Sequence, residues 1–188
     1  MMSAKSMFKP VSIALLAAAM AACSNHAPAP KAESLNNEDW YQVRTEENLY
    51  LFDDAKVYRD FVASGKAPYL KDLQEKDKYG QSIVLALRAE DQGKDLKKIA
   101  AYQFLKQSLP PASNFYGEIR QEGVIFVSRR YGDMVDVNNL GEPIFRHTEI
   151  ASGPNGERVV YLLQKEEKKP EKLIKQFQVN NGITPTKG

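Results

Sequence analysis

The stretch Leu49-Tyr50-Leu51-Phe52 has a match in the second half of the chain, Val124-Ile125-Phe126-Val127. Both are runs of β-forming residues, and they lie 75 positions apart in the chain. Other matches follow in the same order, at separations of 75 or 76 positions. They are Trp40-Tyr41 with Phe115-Tyr116, Gly65-Lys66-Ala67-Pro68 with Gly141-Glu142-Pro143, Gly80 with Gly156, 83–87 with 159–163, and Glu90-Asp91 with Glu166-Glu167. Ordered matches at nearly the same separation predict a tandem duplication, with a first unit over 36–109 and a second over 110–188.

Each unit is expected to contain two hairpins and two helices. In the first unit, 41–43 with 49–52 predict one hairpin, and 68–73 with 83–87 predict another. Apolar residues at helical spacing predict a helix that is capped by Asp53 or Asp54 and ends at Gly65, and a second helix over 95–106. The members of the first helical face are Val57, Tyr58, Phe61 and Val62.

The second unit repeats this order with one ambiguity. Residues 131–137 fit either a helix or a strand, because Gly132 and Asn138-Asn139 interrupt the pattern. The closing helix is marked by Leu173, Ile174 and Phe177 after Pro170. The sequence therefore predicts an α+β fold of mostly antiparallel strands with helices on one face, in which Leu51 and Phe126 occupy equivalent buried positions.

The N-terminus has the composition of an export signal. Lys5 and Lys9 precede an apolar run over 11–22, which is too short to span a bilayer as a helix and predicts a signal peptide over 1–22. Cys23 is the single cysteine of the chain, so neither an intramolecular disulfide nor a thiolate metal cluster can form.

Met20-Ala21-Ala22-Cys23 resembles the lipobox of bacterial lipoproteins, with Met20 in place of the usual Leu. The resemblance implies cleavage before Cys23 and acylation of its thiol, and therefore a membrane anchor. Ser24 is the kind of residue that in this family accompanies transport to the outer membrane. The alternative is an ordinary secretory signal cleaved after Ala21. Residues 23–35 are expected to form the lipidated cysteine and a flexible Ala/Pro tether.

The charge balance argues against nucleic acid as a partner. The whole chain has 26 Lys+Arg and 24 Asp+Glu, and loss of Lys5 and Lys9 with the signal leaves 24 of each. Binding to phosphates depends on a basic excess, which the mature chain does not have.

The sequence offers few residues for catalysis. His147 is the only histidine after the tether, which argues against a metal site and against a serine triad. Gly153-Pro154-Asn155-Gly156 is better explained as a hairpin turn than as a phosphate loop, since the following Lys-Ser/Thr is missing. We therefore predict no enzyme activity, no catalytic residue, no metal and no cofactor. A carboxylate-based envelope enzyme is the alternative.

Arg129, Arg130 and Tyr131 form the candidate interface, because Arg and Tyr are enriched at binding hot spots and the first unit has no such residues at this place. The stretches 124–127, 141–143 and 152–161 resemble a family of uncharacterised bacterial envelope lipoproteins. In architecture alone, two α+β repeats are similar to the secreted β-lactamase inhibitory proteins, whose disulfides this chain lacks. The expected function is that of an outer-membrane lipoprotein that faces the periplasm and binds a protein, as an inhibitor, immunity protein or envelope accessory. A small-ligand carrier is a further alternative.

Overall fold

A computed structural model describes residues 34–143, 145–164 and 168–184 of the chain. Their strands are β1 (Asp39–Arg44), β2 (Asn48–Phe52), β3 (Tyr69–Lys76), β4 (Ser82–Leu87), β5 (Tyr116–Gln121), β6 (Val124–Ser128), β7 (Arg146–Glu149) and β8 (Arg158–Leu162). Their α-helices are α1 (Ala55–Ser64), α2 (Ala100–Leu105), α3 (Tyr131–Leu140) and α4 (Glu171–Asn180). No helix in these ranges is long and apolar enough to cross a membrane.

All eight strands belong to one mixed sheet, in the order β3-β4-β2-β1-β5-β6-β8-β7. The four hairpin pairs are antiparallel, whereas β2 with β4, β1 with β5, and β6 with β8 are parallel. The predicted α+β class is confirmed. The parallel β1–β5 pair lies at the centre and joins the two halves of the chain into one sheet.

The expectation that the helices lie on one face is wrong, because they cover both. Helices α2 and α3 pack with Leu51 and Phe126 on one side, here called the α2/α3 face. Helices α1 and α4 pack with Phe52 and Val127 on the other side, the α1/α4 face. The apolar run over 83–87 indicates this arrangement in the sequence, since continuous apolar strands are typical of sheets that are covered on both faces.

The two halves have the same order of elements and the same strand pairing. Leu49 is paired with Arg44 and with Ile83, and its counterpart Ile125 is paired in the same way with Arg120 and with Val159. Residues that this pairing matches between the halves are called counterparts below. Since α1 and α3 lie on opposite faces, the side chains of counterparts on the strands also point to opposite faces. A duplication as the origin of this similarity stays a prediction.

The match of Leu51 with Phe126 is therefore wrong by one residue. Both side chains are buried, as expected, but they lie together on the α2/α3 face. The counterpart of Leu51 by strand pairing is Val127, on the other face. The sequence match brought similar apolar residues together, and a displacement of one residue along a strand exchanges the faces.

Most local predictions are confirmed. Both hairpins of the first half form, and α1 ends at Gly65, whose φ of 71° is in the left-handed region. The side chain of Asp54 accepts hydrogen bonds from the first turn of α1, whereas Asp53 accepts one from the backbone of Ala101 in α2. Residues 131–137 are helical, within α3. The helix expected over 95–106 is a 3₁₀ turn followed by the shorter α2.

Candidate functional site

A cleft of about 190 Å³ lies on the α2/α3 face, between the two helices that cover it. Its floor is formed by alternate residues of β1, namely Trp40, Gln42 and Arg44, because every second side chain of a strand points to the same face. Phe104 of α2 and Tyr131 of α3 form part of the walls. The cleft is thus built from strand and helix residues and not from loops alone.

Aromatic rings make up one end of the cleft. The rings of Trp40, Phe104 and Tyr131 lie with centroids 5.2 to 5.6 Å apart. The Tyr131 hydroxyl donates a 2.6 Å hydrogen bond to the Phe104 carbonyl and so ties α3 to α2. Burial raises the pKa of Tyr131 to about 12, so this hydroxyl is protonated at neutral pH. The aromatic wall is apolar and uncharged.

Two residues at the floor of the cleft carry unpaired polar atoms. Gln42 is fully buried, and among the described residues neither its amide nitrogen nor its amide oxygen has a hydrogen-bond partner. The indole nitrogen of Trp40, two residues earlier on the same face, is buried and unpaired as well. A buried polar group without a partner costs about 1–3 kcal/mol of stability. Here the fold bears that cost for both polar ends of one carboxamide.

Arg44 forms the polar end of the cleft, and its charge is balanced. Its guanidinium is paired with Asp77 and donates hydrogen bonds to Gln81 at 2.5 Å and to Asn138 at 3.2 Å. Burial opposes ionisation of Asp77, but hydrogen bonds from Arg44 and from backbone N–H groups outweigh it, so the pKa of Asp77 is lowered. This end therefore presents a fixed, neutral ion pair.

The mouth of the cleft is polar and exposed. Lys78, Gln107 and Asn139 line it, and all three are solvent-exposed. The Lys78 ammonium donates to the Asn139 carbonyl and lies 4.7 Å from the centroid of the Tyr79 ring. The cleft thus passes from a solvent-exposed rim to a buried floor.

The matched place on the α1/α4 face is occupied by Glu118, which is the counterpart of Gln42 and is also buried. Its carboxylate accepts hydrogen bonds from the hydroxyls of Tyr58 at 2.7 Å and Tyr116 at 2.5 Å, and from the Asn181 amide at 2.9 Å. Burial raises the pKa of Tyr58 and of Tyr116 well above 10, so both hydroxyls keep their protons for this bond.

Arg120, the counterpart of Arg44, completes that cluster. It donates to the Tyr58 hydroxyl at 2.6 Å, to Glu157 at 2.8 Å and to Asn181 at 2.8 Å. The cluster links α1, β5, the turn before β8 and the end of α4. Its groups are satisfied by one another, which indicates a structural role.

Two substitutions explain why Gln42 is not satisfied in the same way. The residue of α3 that matches Tyr58 is Met134, which lacks a hydroxyl and packs against Gly117, where an added Cβ would lie 2.0 Å from the sulfur. When Phe104 is aligned with Phe177, Asn181 corresponds to Ser108, and the Ser108 hydroxyl donates to Gln103 instead. The helices above Gln42 therefore bring no partner to it.

The structure separates the three residues of the predicted interface. Tyr131 lines the cleft, whereas Arg129 and Arg130 lie with Lys168 at a second cavity of about 200 Å³ near the start of α4. Arg129 is exposed, and Arg130 is paired with Asp133 at 2.8 Å. Cys23, the predicted lipidation site, lies outside the described residues.

His147 and the buried acidic residue Asp91 lie apart from the cleft. His147 is half-buried on β7, 3.4 Å from a Glu149 oxygen and stacked on Tyr161. Asp91 forms ion pairs with Arg88 and Lys94. No group of three or more potential metal ligands occurs among the described residues.

The sequence did not identify Gln42 as a site residue, although the alternation of side chains along β1 contains a signal for it. Trp40, Gln42 and Arg44 alternate with Tyr41 and Val43, so the strand carries polar side chains on one face. That pattern alone is typical of a strand with one face in water. Only the helices that cover this face show that the carboxamide is buried.

Comparison of the chain with known protein families, with curated proteins and with solved structures finds no match in any of the three.

Proposed function

We propose that this protein is a lipoprotein of the bacterial cell envelope that binds a small ligand in the cleft between α2 and α3, without chemical turnover. The observation that supports this proposal is the unpaired carboxamide of Gln42 at the floor of a cavity of about 190 Å³. Natural folds rarely leave both ends of a buried amide unpaired unless a ligand or a functional constraint requires it.

The chemistry of the cleft favours binding over catalysis. Its only carboxylate among the described lining residues, Asp77, is paired with Arg44. The Tyr131 hydroxyl is held in a hydrogen bond to backbone. General acid–base or nucleophilic catalysis needs a reactive side chain that can meet the substrate, and these two groups are engaged elsewhere.

The first experiment asks whether the cleft retains a molecule in the cell. Full-length protein is purified in detergent from native envelopes and denatured, and the released small molecules are identified by mass spectrometry. We expect a stoichiometric compound from the unaltered protein and its loss from a Leu105→Trp variant, whose larger side chain fills the cleft. Leu70→Trp, an exposed position on β3, is the matched control. The same set of compounds from all three proteins would contradict the proposal.

A second candidate function is binding of a protein partner through Arg129 and Arg130. Its support is the cavity near the start of α4, where these two arginines and Lys168 surround apolar Leu162 and Leu173. A partner that inserts an acidic side chain there would meet Arg129 and Lys168, beside the ion pair of Arg130 with Asp133. Replacing Arg129 and Arg130 with Ala should weaken capture of that partner about thirtyfold, with little change in melting temperature. Equal capture would remove this candidate.

The membrane anchor belongs to the same proposal. Acylation of Cys23 would hold the protein at the outer membrane, and the Ala/Pro tether predicted over 23–35 would give the body reach into the periplasm. Replacing Cys23 with Ala should abolish incorporation of labelled acyl chains and release the protein into the soluble periplasmic fraction. Unchanged fractionation of that variant would show that something other than a lipid on Cys23 holds it.

A further inference from the structure

We infer that the ligand of the cleft is a small neutral molecule with one planar amide, a carboxamide or lactam, on an aromatic or apolar ring. This inference rests on the proposed function and specifies the ligand of the same site. It follows from the hydrogen-bonding groups, the size and the charge of the cleft.

The polar atoms of Gln42 set the first requirement on the ligand. A carboxamide has an N–H₂ group that donates and an oxygen that accepts, and both are unpaired here. One ligand group satisfies both at once if it presents an acceptor and a donor side by side, as an amide does. A carboxylate offers acceptors only and would leave the Gln42 oxygen unpaired. An aliphatic group would satisfy neither end.

Trp40 adds a second requirement. Its buried indole N–H is a donor without an acceptor among the described residues, on the same face of β1 as Gln42. Positions two apart along a strand are about 7 Å apart. A further acceptor on the ring of the ligand, or the second lone pair of the amide oxygen, would meet this donor.

Size and shape restrict the body of the ligand. An apolar cavity of about 150 Å³ is known to hold benzene, so about 190 Å³ suits a single substituted ring. The rings of Trp40, Phe104 and Tyr131 provide flat apolar surfaces against which such a ring stacks.

Charge restricts the ligand further. Arg44 is the buried cation of the cleft, and Asp77 neutralises it. A carboxylate ligand would have to be desolvated at the buried floor, where Arg44 is already paired with Asp77. A neutral amide has no such penalty.

The experiment uses Trp40 as the reporter. It is the only tryptophan of the chain and lines the cleft, so protein fluorescence and the single indole N–H resonance both report on this site. Full-length protein in detergent is titrated with three ring compounds of similar size, namely benzamide, benzoate and benzyl alcohol. We expect saturable binding of benzamide, with benzoate at least about tenfold weaker because it leaves the Gln42 oxygen unpaired. The indole N–H resonance should shift on binding.

Two variants make the result specific. Gln42→Leu, which keeps the approximate size of the side chain, should weaken benzamide binding at least about tenfold and leave it no tighter than the binding of benzyl alcohol. Glu118→Gln, at the matched position on the opposite face, should leave benzamide binding unchanged. Melting curves of all three proteins confirm that they are folded.

The outcomes separate the inference from the function on which it rests. Equal or tighter binding of benzoate or benzyl alcohol, or a benzamide preference that survives Gln42→Leu, would overturn the amide class while the cleft remains a binding site. Failure of all three compounds to perturb Trp40 would also overturn the amide class. The co-purification experiment with Leu105→Trp then decides the proposed function independently.

Discussion

Gln42 and Glu118 lie at matched positions on β1 and β5, yet Glu118 accepts three hydrogen bonds and Gln42 makes none among the described residues. Each is followed two residues later by an arginine that pairs with a carboxylate from the neighbouring hairpin, Asp77 or Glu157. The backbone framework is thus the same on both faces. The difference lies in what the covering helices bring.

On the α1/α4 face, Tyr58 and Asn181 reach the strand and complete the cluster. On the α2/α3 face, Met134 and Ser108 stand at the corresponding places and do not. A buried polar cluster stabilises a fold only when every member is satisfied. The Glu118 cluster therefore stabilises the protein, whereas the cleft at Gln42 lowers its stability. A loss of stability in favour of function is expected of a binding site.

The largest expected effect tests the completed face. Glu118→Leu removes the acceptor of three hydrogen bonds and leaves Arg120 with one carboxylate partner, so the free energy of unfolding should fall by about 3–5 kcal/mol. Denaturant unfolding measures it. Glu118→Gln, which keeps an oxygen acceptor, should lose clearly less of the free energy of unfolding than Glu118→Leu. A small effect of Glu118→Leu would mean that the cluster is not structural.

The second prediction has the opposite sign and concerns the open face. Gln42→Leu replaces two unpaired buried polar atoms with a hydrocarbon of similar size, so the ligand-free protein should gain about 1–3 kcal/mol. The same unfolding measurement applies, and Leu51→Ala on the same face provides a reference loss of about 2–5 kcal/mol. A loss of stability in Gln42→Leu would show that the carboxamide has a partner in solution.

Acid unfolding compares the two arginine pairs. Burial opposes ionisation of Glu157, but hydrogen bonds from Asn155 and the charge of Arg120 outweigh this effect, so the pKa of Glu157 is lowered. The pKa of Asp77 is lowered as well. A pKa that is lowered in the folded protein means that, as the pH falls, the unfolded chain takes up a proton at this group before the folded protein does. The stability from these pairs is therefore present above the ordinary pKa values of 3.8 for Asp77 and 4.5 for Glu157 and is lost as the pH falls below them.

Replacing Asp77 with Asn or Glu157 with Gln should flatten this acid dependence. The measurement is the free energy of unfolding between about pH 5 and pH 2. Both variants should show a smaller fall than the unaltered protein, since the replaced group no longer titrates. An unchanged slope in either variant would show that its arginine pair does not contribute to acid sensitivity.

Some of this architecture could be predicted from the sequence, because it depends on local patterns. Alternating and helical spacing predicted the hairpins and α1, and Gly65 marked where that helix ends. The cleft could not be predicted, because the condition of Gln42 depends on Met134, which lies in the other half of the chain. The contact of Asp53 with Ala101 is likewise a tertiary one, and Asp53 and Asp54 are indistinguishable as caps in the sequence.

The smallest effect expected concerns the starts of the matched helices α1 and α3. Asp54 caps α1 by accepting from two backbone N–H groups at 2.9 Å, whereas its counterpart Arg130 makes no side-chain cap for α3. Asp54→Ala should therefore lower the free energy of unfolding by about 1 kcal/mol. Arg130 forms a partly exposed ion pair with Asp133, so Arg130→Ala should change it by less than about 0.5 kcal/mol. Chemical denaturation of the two variants measures both values. Equal losses would show that Arg130 stabilises α3 as much as Asp54 stabilises α1, and would weaken the case that this arginine is retained for binding.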